Sequence, residues 1–295
     1  MPRVRRPRLL SLSLASLLLP AFLIAAGAPA YAGTIDDAKA LAAPGVLGAN
    51  NWSCRPTAAH PRPVVLVHGT FADGSSNWTV AAPAFAARGY CVFALTYGRK
   101  QGVPLLAAIG PVADSAAQLS TFVDGVLAAT GASDVDIVGH SQGGMMPRHY
   151  LRFLGGAGKV HTLVGLAPSN HGTTVSGLTT LAMQWPGALD LVASGCPACA
   201  DQFVGSPFLA RLNAGGDTVD GVGYTVIATK YDGVVTPYTS QFLSGARVRN
   251  VTLQHLCAVD TSEHVLIAFD RIALHEVLNA LDPSHATRTN CLSGV

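Results

Sequence analysis

Two short apolar runs, Pro63-Val-Val-Leu-Val67 and Tyr90-Cys-Val-Phe-Ala-Leu95, flank an Ala-rich stretch of helical character from Ala81 to Arg88. This alternation predicts strand, helix, strand. It continues with a helix from Val112 to Ala129, a strand Val135-Asp-Ile-Val138, a helix after Gly143 and a strand from Val160 to Leu166. Two further β-branched runs, Tyr224-Thr-Val-Ile-Ala-Thr229 and Val248-Arg-Asn-Val-Thr-Leu253, precede a helix predicted from about Glu263 to Leu281. Continuous apolar strands separated by helices imply an α/β protein with a mainly parallel central sheet and helices on both faces. Between Ser169 and Asp217 no strand is predicted, while Leu178, Leu181, Ala182, Trp185, Leu189 and Val192 recur at helical spacing. So long an excursion reads as a cap or lid insertion at about 169–217; a helix that completes the core is the alternative.

The first 32 residues follow a different pattern. Arg3, Arg5, Arg6 and Arg8 precede an apolar stretch from Leu9 to Ala26, and Ala30-Tyr31-Ala32 fits a small-residue cleavage site. These parts predict an export signal, residues 1–32, cut before Gly33. The stretch is short for a bilayer span, and no stable membrane anchor is expected. Residues 33–295 are expected to form a single domain.

Composition changes once that segment is set aside. The whole chain has 19 basic and 17 acidic residues, a formal charge of +2, and losing four arginines leaves 15 against 17, or −2. No basic run remains for a nucleic-acid partner. Hydrophobic residues make up 49% and charged residues 12%, which excludes disorder and suits a sheet buried on both faces. All six cysteines lie after residue 32, and an even number in an exported chain implies disulfides. Sequential pairing gives Cys54–Cys91, Cys196–Cys199 and Cys257–Cys291. Cys196-Pro-Ala-Cys199 has the spacing of a redox or half-zinc motif, but without a second CxxC or a preceding strand it reads as a local staple.

Gly139-His140-Ser141-Gln142-Gly143 fits G-x-S-x-G directly after a predicted strand and before a predicted helix. That context puts Ser141 on a sharp turn at the carboxyl edge of the sheet, where a hydroxyl can act as a nucleophile. A base must take its proton and an acid must orient the base, in the chain order Ser, acid, His. Asp232, after the strand ending at Thr229 and before the turn residue Gly233, is the candidate acid. Asp217 and Asp220 fall at the wrong end of that strand, and Asp260 reads as a helix cap. His264 is the candidate base, with His255 as its competitor. Two backbone amides, of Gln142 and of Thr70 in His68-Gly69-Thr70-Phe71, are candidate donors to an oxyanion, and the Thr70 hydroxyl could add a third. His68 reads as a loop-shaping residue.

At these residues the chain resembles the secreted bacterial class 2 lipases of the α/β-hydrolase fold, and Ser141-Gln142-Gly143 with Gly69-Thr70 is similar to fungal lipase B. The motifs that carry the resemblance are Val64-Val-Leu-Val-His-Gly-Thr-Phe71, Gly139-His-Ser-Gln-Gly-Gly144, Asn213-Ala-Gly-Gly-Asp217, Tyr231-Asp-Gly-Val-Val-Thr-Pro237 and Glu263-His264. The resemblance implies hydrolysis of carboxylic esters of lipids through an acyl-enzyme, with the triad on Ser141, Asp232 and His264 and the oxyanion amides on Thr70 and Gln142. It leaves open a cutinase-like polyesterase and an acyltransferase with the same triad. No cofactor and no metal site are expected; the expected partner is a lipid ester, met outside the cell by a monomer.

Overall fold

The computed structural model describes residues 1–2, 33–176 and 188–295, so the predicted export signal and Leu178, Leu181, Ala182 and Trp185 lie outside the described residues. The chain divides after Tyr31 into two units, and every element named here belongs to Ala32–Val295. Its first helix, α1 (Ile35–Leu41), begins with a capping box. The Thr34 hydroxyl accepts from the Asp37 amide, and the Asp37 carboxylate accepts from the Thr34 amide.

Strand β1 (Val64–Val67) is followed by the short α2 (Gly74–Asn77), then α3 (Ala81–Ala87) and β2 (Val92–Ala94). Helix α4 (Val112–Thr130) stops at Gly131, whose φ of 74° is the left-handed conformation that ends helices without a Cβ clash. Then come β3 (Val135–His140), α5 (Gln142–Phe153) and β4 (Val160–Leu166). The described part of the 169–217 excursion holds α6 (Ala188–Gly195), α7 (Pro197–Asp201) and α8 (Pro207–Asn213), and no strand. The chain closes through β5 (Gly223–Ala228), β6 (Val248–Thr252), α9 (Leu253–Leu256) and α10 (Arg271–Leu281).

The six strands are parallel, in the order β2-β1-β3-β4-β5-β6. Alternate residues of each strand feed opposite cores. Val65, Val67 and Ile137 pack with α4 and α5 residues such as Phe122 and Met145, while Val64, Leu66 and Val138 pack with Phe85 of α3 and Leu274 of α10. This double burial explains why the strands read as unbroken apolar runs. The chain steps outward from β1 to β2 and returns past β1 to β3, which pairs Val67 with Gly139. Winding reverses there, and a crevice opens beyond the carboxyl ends of β1 and β3.

Three boundaries differ from the sequence reading. Strand β2 is shorter than the apolar run around it, and β3 runs on through His140, so the first two of the five motif residues, Gly139 and His140, are strand. The last helix starts at Arg271, because the Asp270 carboxylate accepts from the Ile272 and Ala273 amides and fixes the N-cap there. Residues 263–270 form a loop with one tight turn, Leu266–Ala268. All three cysteine pairs are joined as predicted. Among the described residues no helix is long and apolar enough to cross a membrane.

Candidate active site

Ser141 occupies the turn between β3 and α5 with φ 55° and ψ −122°, a backbone conformation that a side chain rarely adopts. The turn is tight enough to require its glycines. A Cβ on Gly139 would stand 1.8 Å from the Gly143 carbonyl oxygen, and one on Gly143 would stand 2.1 Å from that of Val67. The elbow therefore holds only with glycine at both positions, and it presents the hydroxyl in the crevice.

The Ser141 hydroxyl lies 2.9 Å from Nε2 of His264, whose Nδ1 lies 2.7 Å from Oδ2 of Asp232. A carboxylate accepts only, so Nδ1 carries the imidazole proton and Nε2 is left to accept from Ser141. All three side chains are buried. Asp232 is held from four directions. Its Oδ1 accepts the Val234 and Val235 amides, both at 2.8 Å, and its Oδ2 accepts Gln241 Nε2 at 2.8 Å besides His264. The loop that follows is laced to residues 173–176: the Thr173 hydroxyl donates to the Val234 carbonyl and accepts the Thr236 amide, and the Ser176 hydroxyl donates to the Gly233 carbonyl.

Because β1 and β3 are neighbours, the loop after β1 packs against Ser141; a Cβ on Gly69 would lie 3.1 Å from that of Ser141. Among the described residues the Thr70 amide and the Gln142 amide, at the first turn of α5, donate to no protein acceptor. An unpaired amide at the start of a twelve-residue helix favours negative charge through the aligned peptide dipoles. The Thr70 hydroxyl is turned elsewhere, donating to Oε1 of Gln142 at 2.7 Å. His68 sits beneath the loop: its Nδ1 donates to the Gly69 carbonyl at 2.9 Å and its Nε2 accepts the Tyr97 amide at 3.3 Å. Complete burial pulls its pKa down to about 4, so the ring is a neutral brace.

Two residues that the motifs did not single out join this loop to the histidine. Asn77 accepts the Gly69 amide on Oδ1 at 3.2 Å, and the same oxygen lies 3.0 Å from Nδ1 of His140. Nε2 of His140 lies 2.8 Å from the backbone carbonyl of His264. Burial, reinforced by the neighbouring His264, lowers the His140 pKa to about 3. The other candidates are occupied away from the serine. Asp217 pairs with Arg148 and His171, Asp260 accepts the Ser262 amide, and His255 is exposed and lines a separate hollow of about 560 Å³ with Arg249 and Glu276.

A cavity of about 460 Å³ opens directly on Ser141 and His264, with walls that include Phe71, Val175, Phe203, Val235 and Phe269. Phe71, Val234 and Val265 belong to this cavity and are also exposed to solvent. The 169–217 excursion contributes Thr173, Val175, Cys199, Gln202 and Phe203 to the wall. Among the described residues no group of three or more His, Cys, Asp or Glu side chains could hold a metal ion.

The sequence profile of the class 2 lipases matches residues 61–271, a span that takes in the elbow, the β1 loop, Asp232 and His264. The chain belongs to this lipase family. Its fold is that of the α/β-hydrolases, as the solved structures that resemble it indicate. Lipase B of Aspergillus fumigatus superposes with a TM-score of 0.61 at 21% identity, over 80% of this chain and 56% of its own. The class 2 lipase chain thus spans little more than half of that relative. A mature lipase of Bacillus licheniformis gives 0.51 at 17% identity over 67% of this chain and 85% of its own, and esterase B of Lactobacillus rhamnosis gives 0.52 at 15% over 78% and 79%.

Proposed function

We propose that this protein is an exported serine hydrolase that cleaves carboxylic esters with apolar acyl groups, triacylglycerols among them, through an acyl-enzyme on Ser141. The observation that carries the reading is the continuous line from Asp232 through His264 to the Ser141 hydroxyl, ending in an apolar cavity. In the first step Nε2 of His264 takes the serine proton as Oγ attacks the ester carbonyl, and Asp232 stabilises the imidazolium that forms. The Thr70 and Gln142 amides receive the developing oxyanion. His264 then returns its proton to the leaving alcohol, and a water activated by the same imidazole releases the acid. The exposed apolar side chains at the cavity mouth suit an acyl chain that enters from a lipid phase, and the 169–217 segment acts as a cap on that cavity.

Export is supported by the start of the second unit. The Gly33 amide lies 3.4 Å from the Asp124 carboxylate, and α1 begins two residues later. A cut before Gly33 would place a new ammonium group against that carboxylate.

The test is turnover of p-nitrophenyl esters by protein recovered from the culture medium, together with its Ser141→Ala variant. The expected result is a mature N-terminus at Gly33, an acylated Ser141 trapped by mass spectrometry, and turnover at background in the variant despite an unchanged melting temperature. Turnover that survives Ser141→Ala would overturn the reading. A series of triacylglycerols graded by chain length separates lipase from short-chain esterase action.

A further inference from the structure

Three residues past the Cys196–Cys199 pair, Gln202 ends α7 and turns its side-chain amide onto Thr70 and Gln142, the two residues whose backbone amides are the proposed oxyanion donors. The directions of its hydrogen bonds follow from one backbone group. The Ala198 carbonyl can only accept, so the Gln202 atom 3.0 Å away is its NH2. That same nitrogen lies 3.2 Å from the terminal atom of Gln142, which is therefore the carbonyl oxygen, and 3.0 Å from Thr70 Oγ1. Set between a donor and an acceptor, the Thr70 hydroxyl sends its proton to Gln142 Oε1. The Ser169 hydroxyl completes the set by donating to Gln202 Oε1 at 2.8 Å.

The NH2 of Gln202 thus has two protons for three acceptors. At rest these serve Ala198 and Thr70, while Thr70 serves Gln142. If the Thr70 hydroxyl swings toward charge growing on the substrate oxygen, the fully buried Gln142 carbonyl loses its donor, and a buried acceptor without a donor is costly. Gln202 is already within reach to replace it. The exchange needs no movement of the backbone.

Resting on the proposed ester hydrolysis, we infer that Gln202 is a positioning residue of this site: it holds the Thr70 and Gln142 side chains beside the oxyanion pocket and frees the Thr70 hydroxyl to become a third donor in the transition state. Its effect belongs to kcat and not to substrate binding, because the third donor is engaged only when the oxyanion forms.

The experiment compares Gln202→Met, of similar length without donors, and Gln202→Glu with the wild type and with Thr70→Val. Turnover of p-nitrophenyl butyrate and inhibition by an aryl trifluoromethyl ketone, which forms a tetrahedral oxyanion on the serine, are measured alongside melting temperature. Gln202→Met is expected to lower kcat about tenfold or more and to weaken the ketone by a similar factor, with KM changed less than about twofold. In the Thr70→Val background the same substitution is expected to cost less than about twofold, since the route through the hydroxyl is already gone. Gln202→Glu, which draws the Thr70 proton to itself, is expected to be slower than Gln202→Met and keeps the question answerable if the Met variant folds poorly. An unchanged kcat, a loss confined to KM, or a full loss repeated in the Thr70→Val background would overturn the inference. Ser141→Ala is run in parallel. If it stays active, the hydrolase reading fails; if it is dead while Gln202→Met matches the wild type, only the role of Gln202 fails.

Discussion

Nε2 of Gln241 lies 2.8 Å from Oδ2 of Asp232, the same oxygen that accepts the Nδ1 proton of His264. Gln241 is fully buried, in a short turn that no catalytic motif marks. It supplies one of the four donors that compensate a carboxylate cut off from water, and a hydrogen bond to a buried charge contributes roughly 1.5–3 kcal/mol. Gln241→Leu is therefore expected to lose stability in that range in urea unfolding at pH 7, and to lower ester turnover about tenfold as the acid holds the imidazole less firmly. A variant with wild-type stability and turnover would show that the other three donors suffice.

The glycines around the site divide into two kinds. At Gly143 a Cβ would meet the Val67 and His68 carbonyl oxygens, which belong to the backbone and cannot step aside. Gly143→Ala is expected to cost about 3 kcal/mol or more, or to leave no soluble protein. At Gly233 nothing lies within 4 Å and the backbone needs no left-handed φ. Gly233→Ala is expected to change stability by less than about 0.5 kcal/mol, although the residue adjoins Asp232. Thermal melting of the two variants checks both, and equal losses would contradict the distinction.

These contrasts mark what was legible in the chain. Ser141 could be read because its signal is local: a strand, then two glycines at fixed spacing. Asp232 and His264 could be chosen because each follows a late strand in the expected order; His264 meets the serine and Asp232 meets His264. Helix α10 starts later than Glu263, although Val265, Leu266 and Ile267 continue the apolar periodicity back across a loop, because Asp270 caps the helix. Gln241, Asn77 and Gln202 could not be found at all. A side-chain amide carries no motif, and Gln202 meets Thr70 across 132 residues of chain only through the tertiary fold.

The buried histidines give stability a pH dependence whose sign can be worked out. Burial lowers the pKa of His68 from 6.5 to about 4, so between these values the unfolded chain binds a proton that the folded chain refuses. Stability from this group is complete above pH 6.5 and falls as pH drops toward 4. At pH 5 the loss is about 2 kcal/mol. His140, lowered to about 3, acts in the same direction. Urea unfolding at pH 7 and pH 5 is expected to show a fall that His68→Asn reduces by about 2 kcal/mol. A fall of the same size in that variant would mean that His68 is not the titrating group.

The disulfides should separate stability from activity. Cys54–Cys91 joins residues 37 apart, whereas Cys196–Cys199 spans 3. Since a crosslink restricts the unfolded chain in proportion to the logarithm of the loop it closes, the first contributes about 4 kcal/mol and the second about 2. The short bridge, however, holds the helix that carries Ala198 and Gln202, and Cys199 lines the cavity. Replacing Cys54 and Cys91 by serine is expected to lower the urea midpoint strongly while leaving kcat near wild type in the protein that remains folded. Replacing Cys196 and Cys199 is expected to do the reverse, with a small change in midpoint and a clear fall in kcat. If the second pair of substitutions leaves kcat intact, the short helix is held in place without its bridge, and the bridge contributes to stability alone.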